Sequence, residues 1–194
     1  MTSATGRKTM TTHPGPLTFT ADAFLAWAEE QPDGRFELIE GRVVAMGRER
    51  AAHGRAKYRA VVALDAALAK AGLDCEAFID SVALRIDDRS VYVPDAFVRC
   101  GPPLPGDASV SDDAVVVVEV LSHSTRASDM VAKLGGYFRL PTLHHNLIVD
   151  ADERMVVHHR RGAAGGIETR ILREGPIDLD PPGLALVVAD VLPR

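Results

Sequence analysis

One stretch near the middle of the chain limits the possible folds more than any other. It runs from Ala114 to Thr125 and reads AVVVVEVLSHST. Its consecutive valines give it the near-continuous apolar character of a strand that is buried on both faces, in the middle of a sheet. Glu119 interrupts this run, and an ionised carboxylate without a partner is costly in such a strand. The sequence therefore predicts a cation beside Glu119: a metal ion, a lysine or an arginine.

A second carboxylate occurs in a similar setting upstream. Asp95 follows Pro94 among strand-forming residues in SVYVPDAFVRC. Proline cannot donate to a strand ladder, so Pro94 marks a strand edge, a strand start or a bulge, and bulges are frequent next to active sites. We expect Asp95 and Glu119 to lie on neighbouring strands, with their carboxylates close enough to share one cation.

A third acid lies in a predicted β-hairpin. Two alternating runs, Phe36 to Glu40 and Arg42 to Met46, flank Gly41 in RFELIEGRVVAMG, and Glu37 belongs to the first of them. Three carboxylates on separate strands offer the hard oxygen ligands that suit Mg²⁺ or Mn²⁺. Such a metal ion can activate water and stabilise charge on a phosphodiester, and a nearby lysine can stabilise the transition state.

Basic residues cluster in the loop after this hairpin and at the start of a second helix, predicted from about Ala52 to Lys70. They are Arg48, Arg50, His53, Arg55, Lys57 and Arg59. A solvated helix end is one interpretation of such a cluster. A patch that contacts the phosphates of a nucleic acid beside the acids is the other. The net charge is −5, so no global positive field attracts nucleic acid, and any contact must be local.

The order of the remaining elements predicts the fold class. Helices are predicted from about Thr20 to Gln31 and from Ser128 to Arg139; the latter carries Lys133 and Tyr137 one turn apart. The predicted strands are Ala77 to Ile86, Val91 to Arg99, Val115 to Leu121, Asn146 to Asp150, Met155 to Arg160, Glu168 to Leu172 and Leu184 to Val188. This order indicates an α/β or α+β fold in which helices flank a mixed sheet.

Composition bounds the class of protein. The chain has 194 residues, 46% of them hydrophobic, which is enough for one domain with a sizeable core. We predict a single domain over residues 17–194 and a disordered tail over residues 1–16. Cys75 and Cys100 fit no zinc or redox spacing, and we expect them to be reduced and buried in a cytoplasmic protein. No apolar run reaches about 18 residues, so no transmembrane helix is expected.

The segments FELIEGRVV, VPDAFV and VVVEVLSHST, with His53 before a helix and Lys133 and Tyr137 on a later one, resemble the Uma-two family of putative restriction endonucleases. That family is placed in the PD-(D/E)xK nuclease superfamily. The resemblance implies a restriction-endonuclease-like core and DNA as the substrate. It implies that Asp95 is the metal-binding aspartate of the superfamily motif, that Glu119 is the second acid and that Glu37 is the acid from the N-terminal region.

The sequence departs from the superfamily pattern at one position. The pattern places a lysine two residues after the second acid, where this chain has Leu121. Lys133 is the best candidate to replace it, and Lys57 is a weaker one.

Together, the three acids and the family resemblance predict a Mg²⁺- or Mn²⁺-dependent DNA endonuclease that acts as a homodimer, with the basic cluster on the phosphates. The alternative is a catalytically degenerate nuclease fold that binds nucleic acid or a protein partner; a purely structural acidic fold is the third possibility.

Each predicted site residue also has a structural alternative. Glu119 could form an ion pair with Arg99 or Arg139. Asp95 could accept local backbone hydrogen bonds, as aspartates do at turns. Glu37 could be a solvated hairpin residue, and His53 a helix-start cap or surface residue.

Overall fold

The computed structural model describes residues 18–31, 34–121 and 133–193. The tail predicted for residues 1–16 therefore lies outside the described residues. The helices are α1 (Ala21–Glu29), α2 (Ala51–Ala71), α3, of which residues 133–137 are described, and α4 (Val188–Val191). Among these residues, no helix is both long and apolar enough to cross a membrane.

The strands form two mixed sheets and a separate hairpin. They are β1 (Phe36–Ile39), β2 (Arg42–Ala45), β3 (Cys75–Ile79), β4 (Ala83–Asp87), β5 (Ser90–Tyr92), β6 (Ala96–Cys100), β7 (Val110–Ser111), β8 (Val116–Val120), β9 (His145–Asp150), β10 (Met155–Arg161), β11 (Ile167–Leu172), β12 (Pro176–Leu179) and β13 (Leu184–Val187). The five-stranded sheet has the order β2-β1-β5-β4-β7, and the six-stranded sheet has the order β11-β10-β9-β8-β6-β3. The predicted fold class, a mixed α+β fold with flanking helices, is confirmed.

Local sequence signals explain several of these elements. The side chain of Thr20 caps α1 by accepting a hydrogen bond from the backbone N–H of Ala23 at 3.3 Å. Glu40 and Gly41 both have positive φ, 50° and 83°, so they form the two-residue turn that joins β1 to β2. Gly72 ends α2 in the left-handed conformation, with φ 63°. The predicted β1–β2 hairpin is present, and the two strands predicted over residues 146–150 and 155–160 pair with each other as β9 and β10.

Two segments that the sequence predicted as long single strands are each divided between the two sheets. Ala77 to Ile86 becomes β3 in the six-stranded sheet and β4 in the five-stranded sheet, and Val91 to Arg99 becomes β5 and β6. The first segment is interrupted around Asp80 and the second at Val93–Asp95, where the residues are not part of a strand. Pro94 cannot donate to a ladder, which explains the second break. The two sheets therefore meet where Asp80 and Asp95 lie.

The six-stranded sheet is covered on both faces. On one face, α2, α4 and the β12–β13 hairpin pack against Val116, Val118 and Val120 of β8. On the other face, Val117 packs with Tyr137 of α3 in a second apolar cluster. Because successive strand residues point to opposite faces, Glu119 shares the face of Val117 and is directed towards α3.

The prediction for the two cysteines is wrong. Cys75 and Cys100 form a disulfide, and neither is fully buried. The pairing follows from the register, because β3 and β6 are antiparallel and place these two residues directly opposite each other. The residues are 25 positions apart, so the sequence spacing alone did not indicate this contact.

Candidate active site

A pocket of about 550 Å³ opens at the junction of the two sheets. It is lined by β1, the α2 N-terminus, the Val93–Asp95 segment, β8 and α3. Its polar lining includes Glu37, Arg48, Glu49, Arg50, His53, Asp95, Glu119, Lys133 and Tyr137. All three acids predicted from the sequence and the preferred lysine therefore line one pocket.

Glu119 meets the cation that its setting predicted, and that cation is Lys133. The Lys133 ammonium lies 3.2 Å from Oε1 of Glu119, and the Tyr137 hydroxyl donates a hydrogen bond of 2.6 Å to the same oxygen. The structural alternative for Glu119 differs from what is found: Arg99 pairs with Glu76 and Asp113, and Arg139 pairs with Asp87.

The charges around Glu119 perturb one another. Burial raises the pKa of Glu119 to about 7, with Asp95 and Glu37 adding to the rise and Lys133 opposing it. Burial lowers the pKa of Lys133, but Glu119 and Glu37 raise it more, so this lysine stays protonated. Burial also raises the pKa of Tyr137 well above its ordinary value of 10.0, so its hydroxyl remains a donor. Among Glu119, Lys133 and Tyr137, it is therefore Glu119 whose pKa lies near neutral pH.

Glu37 is buried, with 5% exposure, and is not a solvated hairpin residue. Its Oε1 accepts a hydrogen bond of 2.8 Å from the backbone N–H of Val93 and lies 2.7 Å from the Lys133 ammonium. Lys133 therefore bridges an acid of the five-stranded sheet and an acid of the six-stranded sheet. We call Glu37, Glu119, Lys133 and Tyr137 the Lys133 cluster.

Asp95 occupies the point where the chain passes between the sheets. Its Oδ2 accepts a hydrogen bond of 2.7 Å from the backbone N–H of Val120, on the neighbouring strand that carries Glu119. Its Oδ1 lies 3.3 Å from Nε2 of His53 and 3.4 Å from the Lys57 ammonium. Asp95 is thus tied to β8 by one oxygen and to α2 by the other.

Lys57 is buried, with a side-chain exposure of 3%, and forms a second cluster. Its ammonium lies 2.6 Å from Oε1 of Glu49, makes a close ion pair with Asp80 and approaches Asp95. Burial lowers the pKa of Lys57, but Asp80 and Glu49 raise it more, and Lys57 in turn lowers the pKa of Asp80 against the effect of burial. We call Glu49, Asp80, Asp95 and Lys57 the Lys57 cluster.

Three side chains in this region could hold a metal ion. One potential ligand atom from each of Glu49, His53 and Asp95 lies within 4.8 Å of the other two. The Nδ1 atom of His53 is buried and has no hydrogen-bond partner among the described residues. The hydrogen bond to Asp95 raises the pKa of His53 above 6.5, although burial opposes this. A set with an imidazole and two carboxylates suits transition-metal ions, Mn²⁺ included, better than it suits Mg²⁺.

Glu49 and Asp80 were not identified from the sequence. A signal for Glu49 was present, because Glu49, His53 and Lys57 are spaced four residues apart and α2 begins between the first two. Residues four apart on a helix lie on one face. Asp80 carried no such signal, because its place depends on the break between β3 and β4.

The predicted basic patch (Arg48, Arg50, His53, Arg55 and Lys57) is divided by the structure. Arg48 and Arg50 are exposed and line the pocket, and Arg55 is exposed on α2. His53 and Lys57 instead point into the site and contact Asp95. Arg48 and Arg50 are therefore the basic residues that are both exposed and part of the pocket lining.

The arrangement combines groups with separate chemical capacities. Carboxylates and an imidazole around Asp95 can ligate a hard or borderline cation. Lys133, held charged between two acids, can stabilise negative charge that develops on a bound group. Glu119, whose pKa lies near neutrality, can hold or release a proton. Such a set fits hydrolysis at a phosphate ester.

Comparisons with known proteins show which proteins this chain is similar to. A family model, Uma2, described as a putative restriction endonuclease, matches residues 21–191. A Synechocystis protein, the uncharacterized protein slr1290, is 26% identical over 179 residues, covering 89% of this chain and 90% of that protein. The crystal structure of a putative nuclease of DUF820 from Anabaena variabilis superposes with a TM-score of 0.70 at 20% identity, covering 89% of this chain and 97% of that one. The last likeness shows the fold.

Proposed function

The chain belongs to the Uma2 family of putative restriction endonucleases, and from this premise we propose that it is a metal-dependent endonuclease that hydrolyses phosphodiester bonds in DNA. The observation that supports this most is the meeting of Glu37, Asp95, Glu119 and Lys133 at one pocket. These residues come from elements far apart in the chain. A purely structural ion pair needs only two partners, so four convergent groups favour a site.

Asp95 is the central metal ligand in this proposal. Asp95 belongs to two candidate sets of metal ligands. In the first set, Glu49 and His53 lie beside it in this structure. In the second set, its partner is Glu119, the second acid expected from the family resemblance. Mg²⁺ or Mn²⁺ fits the carboxylates alone, and Mn²⁺ is the better fit of the two for the set that includes His53. A bound divalent ion would lower the pKa of a water molecule and neutralise charge on the phosphate.

The protein's own residues position the reacting groups. The backbone N–H of Val120 fixes Asp95 on the strand of Glu119, and Tyr137 orients Glu119. Lys133 takes the place of the lysine that the superfamily pattern has at the position of Leu121, and lies between Glu37 and Glu119. From that place it stabilises the negative charge that develops on the phosphate group during hydrolysis.

Arg48 and Arg50 at the pocket entrance would bind the DNA backbone. Both are exposed, and both border the pocket that contains the acids. A local pair of arginines is the kind of contact that a protein with a net charge of −5 requires for nucleic acid. His53, Arg55 and Lys57 complete the patch in the sequence-based prediction, but the structure buries Lys57 in the Lys57 cluster.

The test is cleavage of supercoiled and linear duplex DNA with Mg²⁺, Mn²⁺ or EDTA. We expect nicked or linear products with a divalent ion and none in EDTA. Asp95→Asn should lose at least about 100-fold of the rate, because the central ligand loses its charge. Asp65→Asn, on the exposed face of α2, is the matched control and should cleave normally.

The degenerate-fold alternative makes a different prediction for the same assay. DNA binding without cleavage under every metal condition, with Asp95→Asn binding as the parent protein does, would support a binding module. Absence of both binding and cleavage on all DNA forms would contradict the endonuclease proposal.

The domain organisation and the cellular location of the protein are two further proposals. We propose that residues 17–194 act as one domain, since the pocket draws on β1, α2, β8 and α3. We also keep the cytoplasm as the proposed location. The Cys75–Cys100 disulfide is of a kind more common in oxidising compartments, so cell fractionation combined with thiol labelling tests that location directly.

A further inference from the structure

Strand β11 forms one edge of the six-stranded sheet, and its outer side is unpaired in the described chain. Its six residues, Ile167–Leu172, pair one by one with β10, without a bulge. Residues 167–171 are all exposed. Proteins usually protect an edge of this regularity with a proline, a bulge or a covering element, because it can pair with another strand.

Exposed apolar side chains accompany this edge. Ile167 and Ile171 are 43% and 66% exposed, and they lie on the same face of β11 with Thr169 between them. No described element covers them. Apolar residues at this spacing on a free edge are typical of a strand that pairs with a partner.

Two charged residues, Glu168 and Arg170, lie on the opposite face of β11, and they differ in whether they form an ion pair within the chain. Glu168 forms an exposed ion pair with Arg160 of β10, with 2.7 Å between Oε2 and Nη2. Arg170 makes no hydrogen bond or ion pair with a described residue through its side chain. The edge therefore offers one arginine without a partner, two residues away from a glutamate that has a second oxygen available.

We propose that β11 pairs antiparallel with β11 of a second copy of the chain, centred on Thr169, and so joins the two six-stranded sheets into one. In this register Ile167 lies opposite the partner's Ile171, and Glu168 lies opposite the partner's Arg170. Two-fold symmetry repeats both contacts, so the apolar pair and the charge pair each form twice.

The sequence of β11 selects this register over its neighbours. A two-fold axis perpendicular to the sheet keeps each side chain on its own face, so each residue pairs with a residue of the same face. The axis must therefore pass through a residue, and not between two residues. A centre on Glu168 would place two glutamates opposite each other, and a centre on Arg170 would do the same with two arginines. Like charges directly opposite destabilise a strand pair. The Thr169 centre is the one of the three that pairs opposite charges.

Sedimentation of the whole protein over a range of concentrations tests the pairing. We expect a dimer for the parent protein. Glu168→Lys and Arg170→Glu should each weaken it by about tenfold or more, because each places like charges opposite each other at two positions. The double variant Glu168→Lys/Arg170→Glu restores opposite charges in the same register and should recover the dimer.

Two further measurements keep the outcome interpretable. Arg160→Ala removes the partner of Glu168 within the chain but leaves the proposed contacts intact, so its dimer should match that of the parent. Circular dichroism melts confirm that each variant is folded. A monomeric parent protein, single reversals that leave the dimer unchanged, or a double variant as weak as the singles would overturn the proposal. None of these outcomes depends on nuclease activity.

Discussion

The ammonium group of Lys133 lies 3.2 Å from Oε1 of Glu119, although the two residues belong to different elements, α3 and β8. The superfamily pattern would place this lysine two residues after Glu119, at the position of Leu121, which directly follows β8. In this chain the charge instead arrives from the following helix and also contacts Glu37 at 2.7 Å. Under the proposed function, α3 therefore supplies the positive charge that the superfamily pattern takes from the position two residues after the second acid.

Replacement of Lys133 by methionine should reduce both activity and stability. The ammonium is the cation shared by Glu37 and Glu119, and loss of one partner from a buried ion pair costs about 3–5 kcal/mol. Urea unfolding in EDTA at pH 8 measures this loss, and DNA cleavage should fall at least about 100-fold. Lys70→Met, at the exposed end of α2, is the control. Unchanged unfolding of Lys133→Met would show that the two acids do not need this cation.

The metal-free protein should lose stability as the pH rises through neutrality, because Glu119 ionises. Its pKa in the folded protein is about 7, above the ordinary value of 4.5. The contribution of protonated Glu119 is complete below about pH 4.5 and is lost as the pH rises through 7. The loss is at most about 3 kcal/mol. Urea unfolding in EDTA from pH 5 to pH 8, compared between the parent and Glu119→Gln, isolates this contribution.

Glu119→Gln should remove this pH dependence and abolish metal-dependent cleavage. At pH 8 we expect the metal-free variant to be as stable as the parent or slightly more so, since Glu37 still neutralises Lys133. A loss of about 3–5 kcal/mol would instead make Glu119 a structural partner of a buried cation. Glu174→Gln, on the exposed surface, should behave as the parent does at every pH.

The sequence predicted the parts of this site that depend on local pattern. An acid inside a valine strand indicated a cation for Glu119, and a proline before an acid indicated the break at Asp95. Both inferences rest on burial and hydrogen bonding within one segment, which the amino-acid order largely determines. The β-hairpin of Glu37 followed from alternation around Gly41 in the same way.

The remaining parts depend on how distant segments meet. Nothing in the sequence near Asp80 indicates that β3 and β4 belong to different sheets, so its contact with Lys57 was not predicted. The disulfide was missed for the same reason, since it needs the register of β3 against β6. The sequence placed Lys57 in the basic cluster and made it only the weaker candidate for the site lysine, whereas tertiary packing buries it.

Lys57→Met should strengthen the response to metal. In the metal-free protein the Lys57 ammonium contacts Glu49 and Asp95, two of the three side chains that could bind an ion. Without this cation the acids repel one another, so the variant should be less stable in EDTA by about 3–5 kcal/mol. Mn²⁺ should then raise its melting temperature more than that of the parent, because the ion replaces the lost charge.

Thermal melts in EDTA, Mg²⁺ and Mn²⁺ measure this difference. Arg55→Met removes a positive charge from the exposed side of the same helix and should leave both the EDTA stability and the metal shift unchanged. Equal metal shifts for Lys57→Met and the parent would show that Lys57 does not compete with the ion, and would place the metal away from Glu49.

Removal of the two arginines at the pocket entrance should weaken DNA binding and reduce its dependence on salt. Arg48 and Arg50 are exposed beside the acids, where a backbone phosphate would pass. Each phosphate contact releases counterions, so loss of one contact lowers the slope of log K against log salt by about one unit. Arg48→Ala and Arg50→Ala should each have this effect, and the double variant about twice the effect.

Lys70→Ala is the matched control, since it removes one positive charge about 30 Å along α2 from Arg50. Fluorescence anisotropy with a catalytically inactive Asp95→Asn background, at 50 to 300 mM salt, gives the slopes without cleavage. A slope that stays the same in both arginine variants would return these residues to the solvated helix end that the sequence also allowed.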